Sequence, residues 1–169
     1  NMINNFQCTP KVPEDFAVPF SAQERLPVIE ALDGQLITNK LFVTPKIEGE
    51  SIVPDVAADV LKIVVVNRYK AAPVAKAFIK NFGLKSGAIA SSVAHDSHNI
   101  VAVGVDDDSI CRAVNLVIKK EGGVSCIGNE ESVLGLPVAG LMSTDDGYQI
   151  AEAYAAIDKT AKALGSTLS

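Results

Sequence analysis

The sequence contains no tryptophan, and Phe and Tyr together make up only 5% of its 169 residues. Large aromatic side chains usually contribute much of the buried surface of a globular protein. Since 48% of the residues are apolar and 21% are charged, the chain still has the composition of a soluble globular protein, with a core built from Val, Ile, Leu and Ala. At this length we expect one domain of ordinary size.

Positive charge, long apolar runs and cysteine are also scarce. Lys and Arg number 15 against 20 Asp and Glu, and the net charge of −5 argues against a nucleic-acid surface. No apolar run has the length of a membrane span and no signal peptide is visible, so we predict no membrane association. The cysteines (Cys8, Cys111 and Cys126) are odd in number and form no Cys-x-x-Cys motif. They are typical of free thiols in a reducing compartment, which predicts a cytoplasmic protein.

Histidine occurs only twice, and both copies lie in the stretch Ser91-Ser92-Val93-Ala94-His95-Asp96-Ser97-His98-Asn99. Apolar runs that predict strands flank this stretch. A polar segment held between two strands is typical of a place where a chain presents chemistry. Histidine titrates near neutrality, so two histidines beside an Asp suit proton transfer or metal binding. The candidate site residues are Ser91, Ser92, His95, Asp96, Ser97, His98 and Asn99.

The same stretch also suits an ordinary polar turn, because Asp-Ser and His-Asn are common loop sequences. Metal ligation by His95 and His98 is a secondary interpretation, since His-x-x-His supplies two ligands and closed zinc sites use four. Lys62, Arg68 and Lys85 are further candidates, but a solvated surface position is the favoured interpretation for each.

The first twenty residues predict an irregular arm. Pro10, Pro13 and Pro19 disfavour both a helix and a central strand. We interpret residues 1–20 as an arm or linker that lies over another surface, and residues 21–169 as the domain. An N-terminus of this kind suggests that the chain has been cut from a longer one.

The next part of the chain predicts strands, turns and one helix. In order, they are a strand at Leu26–Leu32, a hairpin turn at Asp33-Gly34, a strand at Gln35–Val43, a turn at Gly49-Glu50-Ser51, a buried strand within Asp59–Tyr69, a helix at Pro73–Phe82 and a strand at Ala88–Val93. The helix is predicted because apolar residues recur at three- and four-residue intervals and Pro73 suits a first helical turn.

After a strand at Ile100–Val105, the acidic run Asp106-Asp107-Asp108 precedes a predicted helix at Ile110–Lys120. The run could bind a divalent cation, but a helix cap is favoured because the helix follows at once. Gly122-Gly123 is expected to end that helix rather than to hold a phosphate. The remaining predicted elements are strands at Val124–Ile127 and Ser132–Leu136, a loop at Pro137–Met142 and a helix at Tyr148–Leu164.

The order of these elements contains a faint repeat. A strand at Ile63–Val66, a helix and a second strand are followed about 37 residues later by a strand at Ile100–Val103, a helix and another strand. Two such units predict an α+β (or α/β) sandwich, in which helices pack on a mixed β-sheet.

Four stretches occur together in a familiar order. They are Asp59–Tyr69, Gly83–Asn99, Gly122-Gly123 and Leu136-Pro137-Val138-Ala139-Gly140-Leu141-Met142-Ser143. In them, and over residues 16–164, the sequence resembles the C-terminal domain of adenine deaminase, the bacterial type that belongs to the amidohydrolase superfamily. The resemblance implies hydrolysis of adenine to hypoxanthine and ammonia in purine salvage, with manganese or iron at the active site.

In that family an N-terminal barrel supplies the metal ligands, among them a His-x-His after its first strand. This chain has no His-x-His and too few residues for a barrel of about 250 residues. The resemblance therefore implies an accessory domain, either an excised fragment or one half of a split enzyme, whose partner is the barrel. Alone, the chain is expected to hold no metal and not to turn over adenine.

Within the complete enzyme, we expect the histidine-containing stretch to approach the active site and to contact adenine or its surroundings. The competing interpretation is that these residues satisfy buried turns at the domain junction. Gly140–Ser143 is expected to pack against the barrel, and an exposed junction surface would favour a homo-oligomer.

Two other functions remain open. The chain could be a stand-alone metabolite-binding or protein-interaction domain without enzymatic activity. An independent hydrolase that uses His95, Asp96 and a serine is disfavoured, because no Gly-x-Ser-x-Gly motif is present.

Overall fold

The structure, a computed structural model, describes residues 7–20, 25–30, 39–93, 99–128, 130–136, 162 and 164–165. Their elements, in chain order, are a 3₁₀ turn at Pro13–Phe16, β1 (Val18–Pro19), β2 (Leu26–Glu30), β3 (Asn39–Val43), β4 (Lys46–Glu48), β5 (Ser51–Val53), a 3₁₀ turn at Val56–Ala58, β6 (Val60–Val66), β7 (Ala75–Lys80), β8 (Ala88–Ser91), β9 (Ile100–Gly104), α1 (Asp107–Lys119), β10 (Gly123–Ile127) and β11 (Glu131–Gly135).

Within the described residues the strands form two sheets. The larger has the order β11-β10-β8-β9-β6-β7-β2-β3, and the smaller has the order β1-β5-β4. In the larger sheet β2 and β7 are parallel, whereas the other neighbouring strands are antiparallel. A mixed sheet with a helix packed on it confirms the predicted α+β class.

β6 lies inside the larger sheet because both of its faces are apolar, as the sequence predicts. Val64 and Val66 belong to the core cluster that α1 covers, and they are at most 1% exposed. Leu61 packs in a separate cluster with Val103 of β9 and Ile79 of β7. The strand therefore carries buried side chains on opposite faces, and each such side chain stabilises the fold by about 1.5–3 kcal/mol.

α1 confirms the capping interpretation of the acidic run. The Oδ1 atom of Asp106 accepts a hydrogen bond of 2.7 Å from the Ser109 N–H, and Asp107 and Asp108 fall in the first turn. The helix ends in a Schellman motif, in which the Gly122 N–H donates to the Val117 carbonyl over 3.0 Å. The buried face of the helix contains the predicted residues Ile110, Ala113, Val114, Val117 and Ile118.

The helix predicted over Pro73–Phe82 is wrong, because this segment forms strand β7. Phe78 packs with Val28 and Val60, whereas the adjacent Ile79 packs with Leu61 in another cluster. β7 lies between β6 and β2, so both of its faces are buried and its apolar residues need not alternate. Over so short a run, a strand buried on both faces imitates helical spacing. The two predicted repeat units consequently differ, since only the second contains a helix.

The other predicted strands agree with the structure within a few residues, whereas β1, β4 and β5 were not predicted. Gly49 takes a positive φ of 61° in the turn between β4 and β5. The hairpin turn at Asp33-Gly34 and the loop at Pro137–Met142 lie outside the described residues. So does the last predicted helix, except for Lys162 and Leu164. In the part of the chain that is described, no helix is long and apolar enough to cross a membrane.

The three cysteines are free thiols, as predicted. Burial raises the pKa of the Cys126 thiol above its ordinary value. Burial is also the largest cause of the raised pKa of Cys8 and of Cys111, and the carboxylate of Asp108 raises the latter further. All three thiols are therefore poor nucleophiles at neutral pH.

Candidate functional site

Several turns meet at one end of the larger sheet. The strand register places Val66 beside Ile100, and Ser91 beside Val101 of one neighbouring strand and Val124 of the other. Gly123, the first residue of β10, lies opposite Gly135, the last residue of β11. The same end therefore contains the residues that follow β6, β8 and β11 and those that precede β9 and β10. We call it the polar sheet end, and define it by Arg68, Ser91, Ser92, Asn99 and Gly123.

Ser92 joins two strands at this end. Its N–H donates to the Gly123 carbonyl over 2.9 Å, and its Oγ accepts from the Gly123 N–H over 2.8 Å. Ser92 is fully buried. Gly123 has a φ of +141°, and a Cβ there would overlap the carbonyl oxygen of Leu134 on the next strand. The Ser92–Gly123 contact therefore requires both a hydroxyl and a glycine.

Ser91 turns the chain out of β8. Its Oγ accepts a 3.0 Å hydrogen bond from the Val93 N–H, which is a local turn typical of serine. The Val93 side chain is 51% exposed. The chain thus leaves β8 within the first residues of the histidine-containing stretch, where Val93 is exposed.

Asn99 holds the other end of that stretch. Its Oδ1 lies 3.5 Å from the Arg68 backbone nitrogen and accepts a long hydrogen bond from it. The Arg68 carbonyl in turn accepts a 2.7 Å hydrogen bond from the Gln7 N–H, in the N-terminal arm. Gln7 in the arm and Asn99, the last residue of the histidine-containing stretch, therefore both bond to the backbone of Arg68, one to its carbonyl and the other to its N–H.

The Arg68 side chain is only 4% exposed. Its Nη2 donates to the Tyr69 hydroxyl over 3.0 Å, and its guanidinium carbon lies 4.8 Å from the centre of the Tyr69 ring. Asn67 Oδ1 accepts from the backbone N–H groups of Tyr69 and Lys70, at 2.9 and 3.2 Å. These contacts place a buried positive charge in a preorganised turn beside Asn99.

An apolar cavity of about 590 Å³ lies beside the polar sheet end, on the face of the sheet opposite α1. Ser91 and Val93 at its rim connect it to the start of the histidine-containing stretch. Its described lining has no titratable side chain and consists of Ile63, Val65, Phe82, Ile89, Ala90, Ser91, Val93, Val101, Val103 and Val124. The described lining is therefore apolar except for Ser91.

His95, Asp96, Ser97 and His98 lie outside the described residues, so their roles stay predictions. Among the residues that are described, no group of three or more His, Cys, Asp and Glu side chains is placed to hold a metal ion. The acids before α1 have other partners, since Asp106 caps the helix and Asp107 pairs with Lys62. The donor set in this part of the chain therefore does not fit a manganese or iron site.

Residues 35–169 match the family model described as the adenine deaminase C-terminal domain. The chain belongs to this family. Relatives named adenine deaminase include the protein of Salinibacter ruber, 46% identical over 170 residues, which cover 99% of this chain and 31% of the relative. The protein of Methanosarcina mazei is 48% identical over 147 residues, which cover 86% of this chain and 26% of the relative. The protein of Borreliella burgdorferi is 41% identical over 170 residues, which cover 98% of this chain and 31% of the relative. The chain thus spans between about a quarter and a third of the length of these relatives.

In this adenine deaminase C-terminal domain, each of the four stretches that carry the sequence resemblance has described residues at or next to the polar sheet end. Arg68 lies one residue before the end of the first stretch, Ser91, Ser92 and Asn99 belong to the second, and Gly122-Gly123 forms the third. The fourth begins at Leu136, whose N–H donates to the Gly122 carbonyl over 3.0 Å. Residues that are far apart in the sequence therefore share one structural location.

The prediction that Lys62 and Arg68 lie on the surface is wrong, because both are buried. Lys85 is exposed, as predicted. Lys62 is fully buried in the domain, and its Nζ lies 2.5 Å from Asp107 Oδ1 and 2.8 Å from the Phe16 carbonyl oxygen. One signal could have revealed this burial. A lysine inside a strand that is apolar on both faces has no route to solvent.

Proposed function

We propose that this chain is the C-terminal part of an adenine deaminase, and that it completes the active site of a barrel domain without containing the catalytic centre. The observation that carries the proposal is the match to relatives named adenine deaminase, which covers 99% of this chain but 31% of the relative from Salinibacter ruber.

The proposed reaction adds water to C6 of adenine and releases the exocyclic amino group as ammonia, leaving hypoxanthine. A manganese or iron ion, when bound by the barrel, would supply an activated water at neutral pH. Nothing in this chain is assigned to that ion, and His95 and His98 are not needed as its ligands. The part of this chain is to bind, orient and enclose the purine.

The stretch from Ser91 to Asn99 is the proposed contact with the substrate or its immediate surroundings. The contact between the arm at Gln7 and the Arg68 turn supports this location. Through the Arg68 turn the arm reaches the sheet next to Asn99. Within the stretch, Asp96 would orient an imidazole, and Ser97 and Asn99 would donate or accept hydrogen bonds at the purine edge. Ser91 and Ser92 would act by holding the start of the stretch.

The cellular setting belongs to the same proposal. Free thiols suit a reducing cytoplasm, which we propose as the place of the reaction and of its role in purine salvage. The rim of the apolar cavity is the proposed place of contact with the barrel, and we propose adenine as the substrate.

The test compares ammonia release from adenine by the purified chain and by a complete adenine deaminase that contains it, each with added manganese or ferrous iron. We expect turnover only from the complete enzyme. In that enzyme His95→Ala and His98→Ala should each lower kcat/KM, whereas the exposed Lys85→Ala should not. Metal-dependent turnover by the isolated chain that is lost in His95→Ala would place a catalytic centre within these 169 residues and refute the proposal.

A further inference from the structure

The two faces of the larger sheet differ in what packs on them. One face is covered by α1, and the arm is held against this helix because Asn115 Oδ1 accepts from the Lys11 N–H over 2.7 Å and Asn115 Nδ2 donates to the Lys11 carbonyl over 2.9 Å. The smaller sheet adds Ile52 on the same side, where it packs with Val28 and Val60. The opposite face carries the side chains that alternate with these along each strand.

On that opposite face the exposed side chains are apolar. Phe42 of β3 is 55% exposed and pairs with Pro27 of β2, which is exposed as well. Further into the sheet, Ala75 of β7 is exposed and pairs with the half-buried Val65 of β6. One further half-buried residue of each of these two strands shares the face. The apolar strip is defined as Pro27, Phe42, Ile63, Val65, Ala75 and Ala77.

The apolar strip continues into the apolar cavity. Val65 lines the cavity and pairs with Val101 of β9, which is another lining residue. On this face of β2, β3, β6 and β7 the charged side chain is Lys40, whose Nζ lies 5.4 Å from the centre of the Phe42 ring at the sheet edge. A sheet that meets water on one face usually carries polar side chains there. An exposed apolar surface of this kind is typical of a contact with another part of a protein.

The size of this surface favours a second domain of the same protein over a second copy of the chain. Seven neighbouring strands, from β3 to β10, at a spacing of about 4.8 Å and with two outward positions each at about 6.7 Å, give about 450 Å². Contact would therefore bury about 900 Å² on the two partners together, within the range of about 600–1,500 Å² for interfaces between domains of one chain. Stable interfaces between separate chains bury about 1,200–2,000 Å².

We propose that the apolar strip and the cavity form the surface on which the N-terminal barrel domain packs, with an apolar helix face of the barrel as the occupant. The inference rests on the proposed function, because it assumes that barrel, and it extends the contact from the cavity rim to the edge strand β3. The matched region is 31% of the relative from Salinibacter ruber, so the larger part of such a protein lies outside this domain. Helices form the outer layer of a barrel of this type. The contacting helix face is uncharged, because a charge buried against the strip would lose its hydration without gaining a partner.

Cysteine labelling measures whether the apolar strip is covered. Ala75→Cys and Phe42→Cys place thiols at exposed positions of the strip, and the control Arg112→Cys places one on α1, where the arginine side chain is 46% exposed. Each variant is treated with N-ethylmaleimide as the isolated chain and within a complete adenine deaminase that contains it. The modified peptide is quantified by mass spectrometry. The native thiols of the chain give little background, because burial raises the pKa of each.

We expect both strip variants to react at least about tenfold more slowly in the complete enzyme than in the isolated chain, which corresponds to about 1.4 kcal/mol of opening free energy. Arg112→Cys should react at the same rate in both. Equal rates for the strip variants in the two forms would overturn the inference. Slow labelling in the isolated chain would also overturn it: a rate that rises on dilution would identify a second copy as the occupant, and a rate that does not would identify the chain itself.

A polar variant separates an interface from a role in the fold. Val65→Thr keeps the shape of the side chain and adds a hydroxyl, which water solvates in the isolated chain but which lacks a partner beneath the barrel. Combined with Ala75→Cys, it should raise the labelling rate in the complete enzyme by about fivefold or more and leave the rate in the isolated chain unchanged. An equal change in both forms would indicate a local effect on the sheet and would contradict the inference.

The two proposals fail separately, because labelling does not depend on turnover. If His95→Ala and His98→Ala leave kcat/KM unchanged but the strip is protected in the complete enzyme, the proposed role of the histidine-containing stretch fails and the interface stands. If the histidine variants lower kcat/KM but the strip is equally reactive in both forms, only the interface inference is overturned.

Discussion

Replacement of Lys62 by methionine removes a positive charge that the fold keeps entirely out of solvent. Lys62 Nζ lies 2.5 Å from Asp107 Oδ1 and 2.8 Å from the Phe16 carbonyl oxygen, and 5.9 Å from the centre of the Phe78 ring. Methionine nearly preserves the length of the lysine side chain, so the variant creates little cavity. The experiment therefore measures the polar contacts rather than packing.

Two opposing terms decide the size of the effect. A hydrogen bond from a charged donor contributes about 1.5–3 kcal/mol, and here two acceptors lose such a donor. The variant gains stability in one respect, because it no longer has to desolvate an ammonium group on folding. Removing one member of a buried ion pair usually costs about 3–5 kcal/mol, because the other charge is left uncompensated. The Asp107 side chain is 29% exposed, so water recovers part of its loss, and we expect a net destabilisation of about 3 kcal/mol.

Urea denaturation followed by circular dichroism measures this free energy of unfolding. A loss of about 3 kcal/mol corresponds to a fall in Tm of about 6–12 °C for a chain of this size. The exposed Lys85→Met is the control and should change the stability by no more than about 0.5 kcal/mol. The double variant Lys62→Met/Asp107→Asn should lose less than the sum of the two single variants, because the carboxylate left without its partner is neutralised.

A Lys62→Met variant as stable as the parent would refute this reasoning. It would mean that the desolvation of Lys62 outweighs its two contacts. The arm would then be held mainly by Phe16 and by the Asn115–Lys11 bonds.

Three further predictions concern turns, caps and thiols. Gly123→Ala should lower the free energy of unfolding by more than about 3 kcal/mol, since it combines a positive φ with an overlap on the neighbouring strand. Gly135→Ala, on that neighbouring strand, is the control, because the atoms nearest to its Cβ belong to the Lys120 side chain at 3.6 Å or more. Asp106→Ala should cost about 1 kcal/mol through the lost cap in thermal denaturation, and Asp108→Ala should cost less. For Cys126, whose pKa is raised above the ordinary value of 9.0, the folded state holds the thiol proton more tightly than the unfolded state does. The stability that this thiol contributes is therefore complete below pH 9 and is lost as the pH rises further. The free energies of unfolding at pH 8 and pH 10 should consequently differ less in Cys126→Ala than in the parent.

The sequence was most informative where one local pattern had a single structural solution. The run around Val64 is apolar on both faces, which fits a central strand. Asp106 is followed by apolar residues at helical spacing, which fits the cap of a helix. The prediction for β7 was wrong because a short run buried on both faces has no distinctive period. The environment of β7 is also set by β2, which lies more than forty residues earlier in the chain. Contacts such as Lys11–Asn115 link residues 104 positions apart, so no local sequence pattern predicts them.

The architecture also explains why the candidate site lies at an end of the sheet. β6 and β9 pack apolar side chains on both faces, so polar groups with access to a ligand can stand only where these strands begin or end. At the end beside Gly87 the packing is close, since a Cβ at Gly87 would meet the Ile127 carbonyl and the Leu164 side chain, and Asp106 and Asp107 line a cavity near it. The opposite end carries Ser92, Asn99 and the buried Arg68, and the arm joins the sheet there. Antiparallel pairing alone would make the two ends equivalent. The packing at Gly87 and the contact of the arm with Arg68 make them different, and under the proposed function the polar sheet end is where this domain would meet a substrate held by a second domain.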